Sequence, residues 1–282
     1  MSEIVKDDII YPLNIEIPSL KSIFIEMYFG ETLLSTGTGI LAAKNKESRC
    51  AIITNRHNVT GRHQETGKCL SNTLGTPDSI IVYLHRSKTE IGNWLKLKLP
   101  LYRSDESPYW IEHPKLGAAA DLVALNVKWG DDVLCLPYYI ETNADRVGML
   151  VSPAEPVSVI GFPFGITSSG KLPIWVTGFL AQELSLINED NPVFLIDCRS
   201  RQGQSGSPVI AFRTTGYRTI KDGRLSSSLS PSTAWEFLGI YSGRINAESD
   251  LGRVWHVSTL SLLLDTAEDE YNKRNCNGIV SA

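Results

Sequence analysis

The chain has 282 residues, of which 42% are hydrophobic and 21% charged, as is usual for a globular protein. Its formal net charge of −4 gives no basic footprint for nucleic acid, and no apolar run reaches the roughly 18 residues of a membrane helix. We therefore expect a protein whose partners are neither nucleic acid nor a membrane.

The start of the chain and its cysteines bear on the compartment. The segment from Met1 to Asp8 is polar and acidic and lacks the apolar stretch of a signal peptide. An odd number of cysteines without paired spacing argues against a disulfide framework and for a reducing environment. The five are Cys50, Cys69, Cys135, Cys198 and Cys276. We expect a cytoplasmic protein.

Short apolar segments follow a surface lead-in over residues 1–20. They are β-branched and are separated by Gly, Asn, Asp, Ser or Pro, which is typical of antiparallel strands. Six such strands can close into a small barrel without exposed edges. We predict an all-β fold of two six-stranded antiparallel β-barrels, over residues 21–140 and 141–257. The predicted strands are 23–28, 37–43, 51–54, 80–85, 94–99 and 122–127, then 157–160, 174–181, 193–197, 208–212, 237–241 and 253–256.

Two predicted loops are long, and the end of the chain is predicted to be helical. Residues 61–79 are long enough to overhang a neighbouring cleft, whereas residues 214–236 contain a serine-rich run typical of a mobile surface loop. From Ser258 the pattern predicts a C-terminal α-helix with that serine as its N-cap, within a final region of residues 258–282. The last eight residues are expected to fray.

Three polar residues stand at the ends of predicted strands. His57 follows the strand 51–54, Asp121 opens the strand 122–127, and Ser205 precedes the strand 208–212. A carboxylate beside an apolar strand needs a hydrogen-bonding partner. His57 fits, since it can donate Nδ1–H to Asp121 and accept the Ser205 proton at Nε2. The chain order His, Asp, Ser excludes the orders found in subtilisin and the α/β-hydrolases.

The serine lies in the run Gly203-Gln204-Ser205-Gly206. Glycine permits backbone angles that bring N–H groups close to a ligand. The N–H groups of Gly203 and Ser205 are therefore candidates for an oxyanion hole. The same residues are also typical of an ordinary turn before a strand. The interpretation as a catalytic serine loop therefore depends on the His57 and Asp121 segments.

Other titratable residues were weighed against this set. Asp105 is the alternative third member, but it lies in a solvated turn, and Asp121 is favoured. The remaining histidines lack metal-ligand spacing, and no H-E-x-x-H or C-x-x-C motif occurs. We therefore expect no metal and no organic cofactor. These histidines are His63, His85, His113 and His256.

The three segments resemble those of chymotrypsin-fold serine peptidases, especially the bacterial glutamyl endopeptidase and high-temperature-requirement branches. Residues 53–57 (Ile-Thr-Asn-Arg-His) resemble the histidine strand, residues 121–125 (Asp-Leu-Val-Ala-Leu) the aspartate strand, and residues 203–208 (Gly-Gln-Ser-Gly-Ser-Pro) the serine loop. Weaker similarities at residues 35–40, 161–165 and 238–243 extend the resemblance over about residues 21–264.

The resemblance implies an active site between two barrels and a C-terminal helix packed on the second. It also implies hydrolysis of peptide bonds through an acyl-enzyme on Ser205, with His57 as general base and Asp121 as the orienting carboxylate. Ser207 replaces the glycine of the commonest pattern, as the glutamyl endopeptidase branch tolerates. Gln204 replaces the aspartate that pairs with a newly cut N-terminus in zymogens, so activation by N-terminal processing is not expected.

The resemblance also implies where a substrate side chain binds. The walls would be the residues before the serine loop and the segment from Tyr241 through Ser242 to Gly243. Ser200 matches a hydroxyl that helps bind glutamate in acid-specific relatives, whereas Tyr241 stands where those relatives have histidine. A cation among Arg199, Arg201 and Arg244 would favour acidic substrates, and the plain alternative is that these are surface arginines.

Two classes of function remain open. The first is a serine endopeptidase that acts on protein or peptide substrates, either by itself or after a regulatory protein partner or ligand orders the loops around Gly203. The second is a catalytically silent binding module with the peptidase fold. The complete set of three residues favours the enzyme.

Overall fold

The computed structural model describes residues 15–71, 73–86, 92–141, 145–229, 232–246 and 248–277, without the side chains of 275–277. They form two β units followed by a C-terminal helix. Within the described ranges, no helix is both long enough and apolar enough to cross a membrane.

The first unit is an eight-stranded sheet in the order β5-β4-β1-β2-β3-β7-β6, with β8 parallel to β2 and every other pair antiparallel. One face buries an apolar cluster that includes Ile25, Ile52 and Val82. The strands are β1 (Ser22–Phe29), β2 (Thr32–Ala43), β3 (Ala51–Thr54), β4 (Ser79–His85), β5 (Trp94–Pro100), β6 (Ile111–Glu112), β7 (Val123–Leu125) and β8 (Tyr138–Tyr139).

This sheet contains all six strands predicted for the first half, together with the unpredicted β6 and β8. Two-residue strands are too short to show an alternating pattern. In the described part of the chain, the end strands β5 and β6 are not paired with each other, unlike the neighbours in a closed six-stranded barrel. A bridge between Tyr102 and Pro108 instead folds the connection between them back on itself.

The second unit is a closed barrel in the order β10-β11-β16-β15-β12-β9, and every pair is antiparallel. Its six strands are the six predicted ones, so the prediction of an all-β fold with a six-stranded antiparallel barrel in the second half is confirmed. They are β9 (Pro156–Gly161), β10 (Ile174–Leu180), β11 (Val193–Asp197), β12 (Pro208–Arg213), β15 (Ala234–Arg244) and β16 (Leu251–His256).

Residues 216–229, predicted to lie in a mobile loop, form a hairpin of β13 (Gly216–Lys221) and β14 (Arg224–Leu229). That prediction is wrong for this segment. The turn between the strands is Asp222-Gly223, and both residues have positive φ angles, 51° and 73°. An Asp-Gly pair of this kind favours a tight hairpin turn, and this local signal outweighs the serine-rich composition of β14.

The predicted C-terminal helix is present as α3 (Leu260–Asn277), after a 3-10 turn over Val257–Thr259. The first capping residue is His256 rather than the predicted Ser258, because the His256 Nδ1 accepts the Ser258 N–H at 3.3 Å. The helix crosses back to contact β6 and β7 of the first unit. The resemblance had implied packing on the second barrel, whereas the apolar face of α3 joins a cluster that spans both units.

Two short helices complete the fold. The first, α1 (Ile17–Lys21), lies in the predicted surface lead-in, yet its last four residues are buried. Lys21 Nζ lies 2.5 Å from Asp145 Oδ1 and 2.8 Å from the Pro137 carbonyl oxygen, so its charge is paired. Burial lowers the pKa of Lys21 from its usual value, although Asp145 opposes the shift. The second, α2 (Arg56–Thr60), carries His57.

Candidate active site

A cleft of about 740 Å³ lies between the two units and contains the three predicted residues. The first unit contributes His57 and Asp121, and the second contributes Ser205. Segment 61–79 also lines this cleft, and Glu65 from that segment forms an ion pair with Arg253 of β16. The loop therefore reaches across the cleft from one unit to the other.

A short helical turn places His57 at the cleft. The extended residue Asn55 precedes α2, and Gly61, with a φ of 63°, ends it after five residues. The buried Asn55 side chain donates to the main-chain oxygen of Asp121 at 2.7 Å. This bond fixes the start of α2 against the start of β7, so the two functional side chains face each other.

The Asp121 carboxylate accepts three hydrogen bonds. Its Oδ1 accepts the main-chain N–H of His57 at 3.0 Å, and its Oδ2 lies 2.7 Å from His57 Nδ1. The Ser242 hydroxyl donates to the same Oδ2 at 2.5 Å. The Asp121 side chain is only 2% exposed, whereas that of His57 is 14% exposed. This arrangement assigns the Nδ1 proton to His57 and leaves Nε2 as the ring acceptor.

The serine loop is attached to the first unit through its main chain. The Ser205 carbonyl accepts the Thr38 N–H at 2.9 Å and the Asn58 amide at 3.1 Å. The Thr38 hydroxyl donates to the Gly203 carbonyl at 2.8 Å. These bonds couple the position of Ser205 to the docking of the two units.

Glycine is required at two places in this loop. Gly203 has a φ of 93° and Gly206 a φ of 88°, both in the region that disfavours other residues. A Cβ atom on Gly203 would overlap the Phe162 carbonyl oxygen, and one on Gly206 would overlap the Thr38 carbonyl oxygen. The conformation and the tight packing therefore both exclude side chains.

The N–H groups of Gly203 and Ser205 are available to a ligand. Neither donates a hydrogen bond within the described part of the chain, and both residues line the cleft. By contrast, the Gln204 N–H donates to the Arg201 carbonyl at 3.2 Å. Two free donors beside a hydroxyl are the arrangement that binds a developing oxyanion.

Gln204, which the resemblance places where zymogens have an aspartate, is fully buried and bonds within its own loop. Its Oε1 accepts the Arg201 N–H at 2.7 Å. With the main-chain bond from Gln204 to Arg201, this contact closes the turn that carries Gly203. The side chain thus holds the loop through one neutral hydrogen bond.

The hydroxyl of Ser205 and the ring of His57 face the same cleft but are not joined by a hydrogen bond in the described part of the chain. Such bonds are often long in unliganded enzymes and tighten when substrate binds. The rival Asp105 lies in an exposed turn, where the Ser107 hydroxyl and N–H lower its pKa. It does not line the cleft.

The predicted substrate-pocket residues separate into two groups. Ser242, Gly243 and Arg244 line the cleft. Ser200 and Tyr241 do not, because both are buried and their hydroxyls are hydrogen-bonded to each other. Sequence reasoning placed Ser242 in the pocket wall but missed its bond to Asp121, which joins residues 121 positions apart.

Of the three arginines that would favour acidic substrates, only one lines the cleft. Arg199 is 84% exposed, with its Nε 3.8 Å from Asp250, and Arg201 lies 3.9 Å from the same carboxylate. Neither lines the cleft, whereas Arg244 does, together with Arg253, which the sequence analysis did not single out. The arginine side chains of the cleft therefore come from β15 and β16, and that of Arg253 is paired with Glu65.

The other histidines have separate environments. His85 is buried against Trp94, with ring centroids 4.0 Å apart, and desolvation lowers its pKa to about 4. Desolvation likewise lowers the pKa of His256 to about 4. Among the described residues, no group of three or more His, Cys, Asp or Glu side chains is arranged to hold a metal ion.

No protein-family model matches the sequence, and no curated protein matches it either. Solved structures of serine proteases are similar in fold. A serine endoprotease from Yersinia pestis is 12% identical, with a TM-score of 0.47 over 90% of this chain and 69% of that one. The active form of the Rv3671c protease from M. tuberculosis is 16% identical, with a TM-score of 0.44 over 88% of this chain and 81% of that one.

The inactive form of the Rv3671c protease is also similar. It is 17% identical, and the match covers 89% of both chains with a TM-score of 0.41.

Proposed function

We propose that this chain is a serine endopeptidase that forms an acyl-enzyme on Ser205. The observation that carries the proposal is the His57–Asp121 pair, which faces Ser205 across the cleft beside two free N–H groups. Base, orienting carboxylate, hydroxyl and oxyanion donors are the parts that acyl transfer requires.

Asp121 orients the base. Its two oxygens bond both the main chain and the ring of His57, so the ring is held with Nδ1 protonated and Nε2 directed to accept a proton. As the Ser205 hydroxyl attacks a substrate carbonyl, its proton passes to Nε2. The buried Asp121 carboxylate then stabilises the resulting imidazolium.

The oxyanion forms beside the serine loop. The carbonyl oxygen of the substrate gains negative charge as the Ser205 oxygen bonds to the carbonyl carbon, and the Gly203 and Ser205 N–H groups donate to it. His57 returns the proton to the leaving amine, which departs. Water then attacks the acyl-enzyme by the same proton route and releases the acid product with free Ser205.

Two features of the cleft support a resting state that substrate or a partner converts to the active one. Ser205 and His57 are not hydrogen-bonded to each other in the described part of the chain, and the Glu65–Arg253 ion pair spans the cleft. A ligand that binds more tightly when Ser205 and His57 are hydrogen-bonded than when they are not would shift the population toward the hydrogen-bonded conformation. The same features support the second candidate, a silent binding module.

Labelling with a fluorophosphonate tests the proposal. The wild-type protein is expected to take up one probe molecule on Ser205, and the variants Ser205→Ala and His57→Ala are expected to take up none. Ser168→Ala, at an exposed serine outside the cleft, is the matched control. If the purified protein stays unlabelled, the experiment is repeated in cell lysate. Labelling there indicates a partner-dependent enzyme, and none in either setting supports the binding module.

A further inference from the structure

Resting on the proposed function, we infer that Tyr241 restricts cleavage to bonds that follow a residue with a small side chain, such as glycine, alanine or serine. The tyrosine occupies the space in which a larger side chain would lie.

The geometry of acyl transfer fixes where that side chain must lie. The attacked carbon carries an oxygen, a leaving nitrogen and the α-carbon of the acyl residue. Its oxygen points to the N–H groups of Gly203 and Ser205, and its nitrogen must face His57 to receive a proton. The α-carbon is left with the third direction, toward the cleft walls at Gln202 and at Ser242–Gly243.

Behind these walls the space is filled. Tyr241, adjacent to Ser242, is 2% exposed and belongs to the apolar core of the second barrel. Its hydroxyl is bonded to the Ser200 hydroxyl, and Ser200 is itself fully buried two residues before Gln202. The tyrosine thus connects the two walls, and neither Tyr241 nor Ser200 is exposed to the cleft.

A glycine makes room for the ring. A Cβ atom on Gly252 would lie 2.5 Å from Tyr241 Cε2 and 3.2 Å from its hydroxyl oxygen, closer than atoms can pack. The main chain of Tyr241 is also fixed, since its N–H donates to the Ser207 carbonyl at 2.8 Å and its carbonyl accepts the Gly206 N–H at 2.9 Å. The main chain from which the ring projects is therefore tied to the serine loop.

The filled space is also uncharged. Burial raises the pKa of Tyr241 to about 12, so the phenol stays neutral at physiological pH. Arg199 and Arg201, the cations nearest in sequence to Ser200, lie beside Asp250 and outside the cleft lining. The space behind the walls therefore provides no room for an aspartate or glutamate side chain, and the cations that do line the cleft, Arg244 and Arg253, lie outside that space.

The test is a cleavage profile of the wild-type protein on a peptide library, run beside fluorophosphonate labelling. Cleavage after glycine, alanine or serine is expected to be at least about tenfold faster than after leucine, phenylalanine, lysine or glutamate, as for other side chains that do not fit a pocket. Equal or faster cleavage after the large residues overturns the inference but leaves the proposed function intact. Absence of both labelling and cleavage, for the purified protein and in cell lysate alike, overturns the proposed function, and the inference with it.

Variants separate the ring from general stability. Tyr241→Ala empties the space and is expected to raise cleavage after phenylalanine relative to alanine by at least about tenfold. Tyr241→Phe keeps the ring and is expected to keep the preference for small residues. Tyr138→Ala truncates another fully buried tyrosine, in a different core cluster, and controls for destabilisation. If Tyr241→Ala does not fold, the wild-type and Tyr241→Phe profiles still decide. A folded Tyr241→Ala with an unchanged profile overturns the inference.

Discussion

Thr38 holds the serine loop from the opposite unit, and removing its hydroxyl should disturb both stability and activity. The fully buried hydroxyl donates to the Gly203 carbonyl at 2.8 Å and accepts the Phe162 N–H at 3.3 Å. Thr38→Val has nearly the same shape but makes neither bond. The carbonyl of Gly203 and the N–H of Phe162 are then left buried without their partner.

The expected magnitude follows from these two contacts. A buried group left without a hydrogen bond costs about 1–3 kcal/mol, so the loss of two such bonds should lower the free energy of unfolding by about 2–6 kcal/mol. In a protein somewhat smaller than this one, each kcal/mol lowers the Tm by about 2–4 °C, so a decrease on the order of 10 °C is expected. A displaced Gly203 should also slow fluorophosphonate labelling by about tenfold or more, since loss of one oxyanion donor costs about 100- to 1,000-fold in kcat.

Thermal unfolding and labelling rates measure both effects, and Thr38→Ser provides the matched control. Serine keeps the hydroxyl and loses only a methyl group, so it should retain most of the labelling rate. If Thr38→Val and Thr38→Ser label at the same rate as the wild type, the hydroxyl does not position the loop and this reasoning is refuted.

Three further predictions rest on other contacts. Asp121→Asn should preserve the fold but lower kcat by about four orders of magnitude, because an amide favours the wrong His57 tautomer; a kcat within tenfold of wild type on a peptide substrate would contradict this. Buried His85 has a pKa lowered from 6.5 to about 4, so the unfolded state binds more protons and stability should decline as the pH falls from about 6.5 to about 4. Urea unfolding should show that the free energy of unfolding of His85→Gln declines less over this pH range than that of the wild type. An equal pH dependence in the two proteins would contradict this prediction. Mild oxidation should join Cys50 and Cys135, whose sulfur atoms lie 3.6 Å apart, and leave Cys69 reduced; peptide mapping checks this, and labelling of all three thiols after oxidation would disprove it.

Local patterns were sufficient for much of the fold. Alternating β-branched segments predict all six strands of the closed barrel, because one buried face imposes a period of two. The same patterns failed where strands have only two residues, as in β6 and β8. They also failed at the hairpin with the Asp222-Gly223 turn, because its serine-rich sequence is more typical of a loop. The predicted serine cap was misplaced because a 3-10 turn precedes α3, and His256 caps that turn by accepting the Ser258 N–H.

The candidate site was predictable only in its residue types. The sequence indicated which histidine, aspartate and serine to consider, because each stands at the end of an apolar strand. It did not indicate that Ser242 bonds the Asp121 carboxylate, that Thr38 reaches Gly203, or that Tyr241 closes against Ser200. These are contacts between segments distant in the chain, which a local pattern does not encode.

By itself, then, the sequence determined the six strands of the closed barrel, the six longer strands of the first sheet, the tight glycine loop around Ser205 and the order of the three polar residues. These depend on backbone angles and on which face of a strand is apolar. Tertiary structure decided which side chains meet in the cleft, where the positive charge lies and what fills the space beside Ser205. Those features depend on strand register and on how the two units dock, and a change in either would move Thr38 away from Gly203 while leaving every local pattern unchanged.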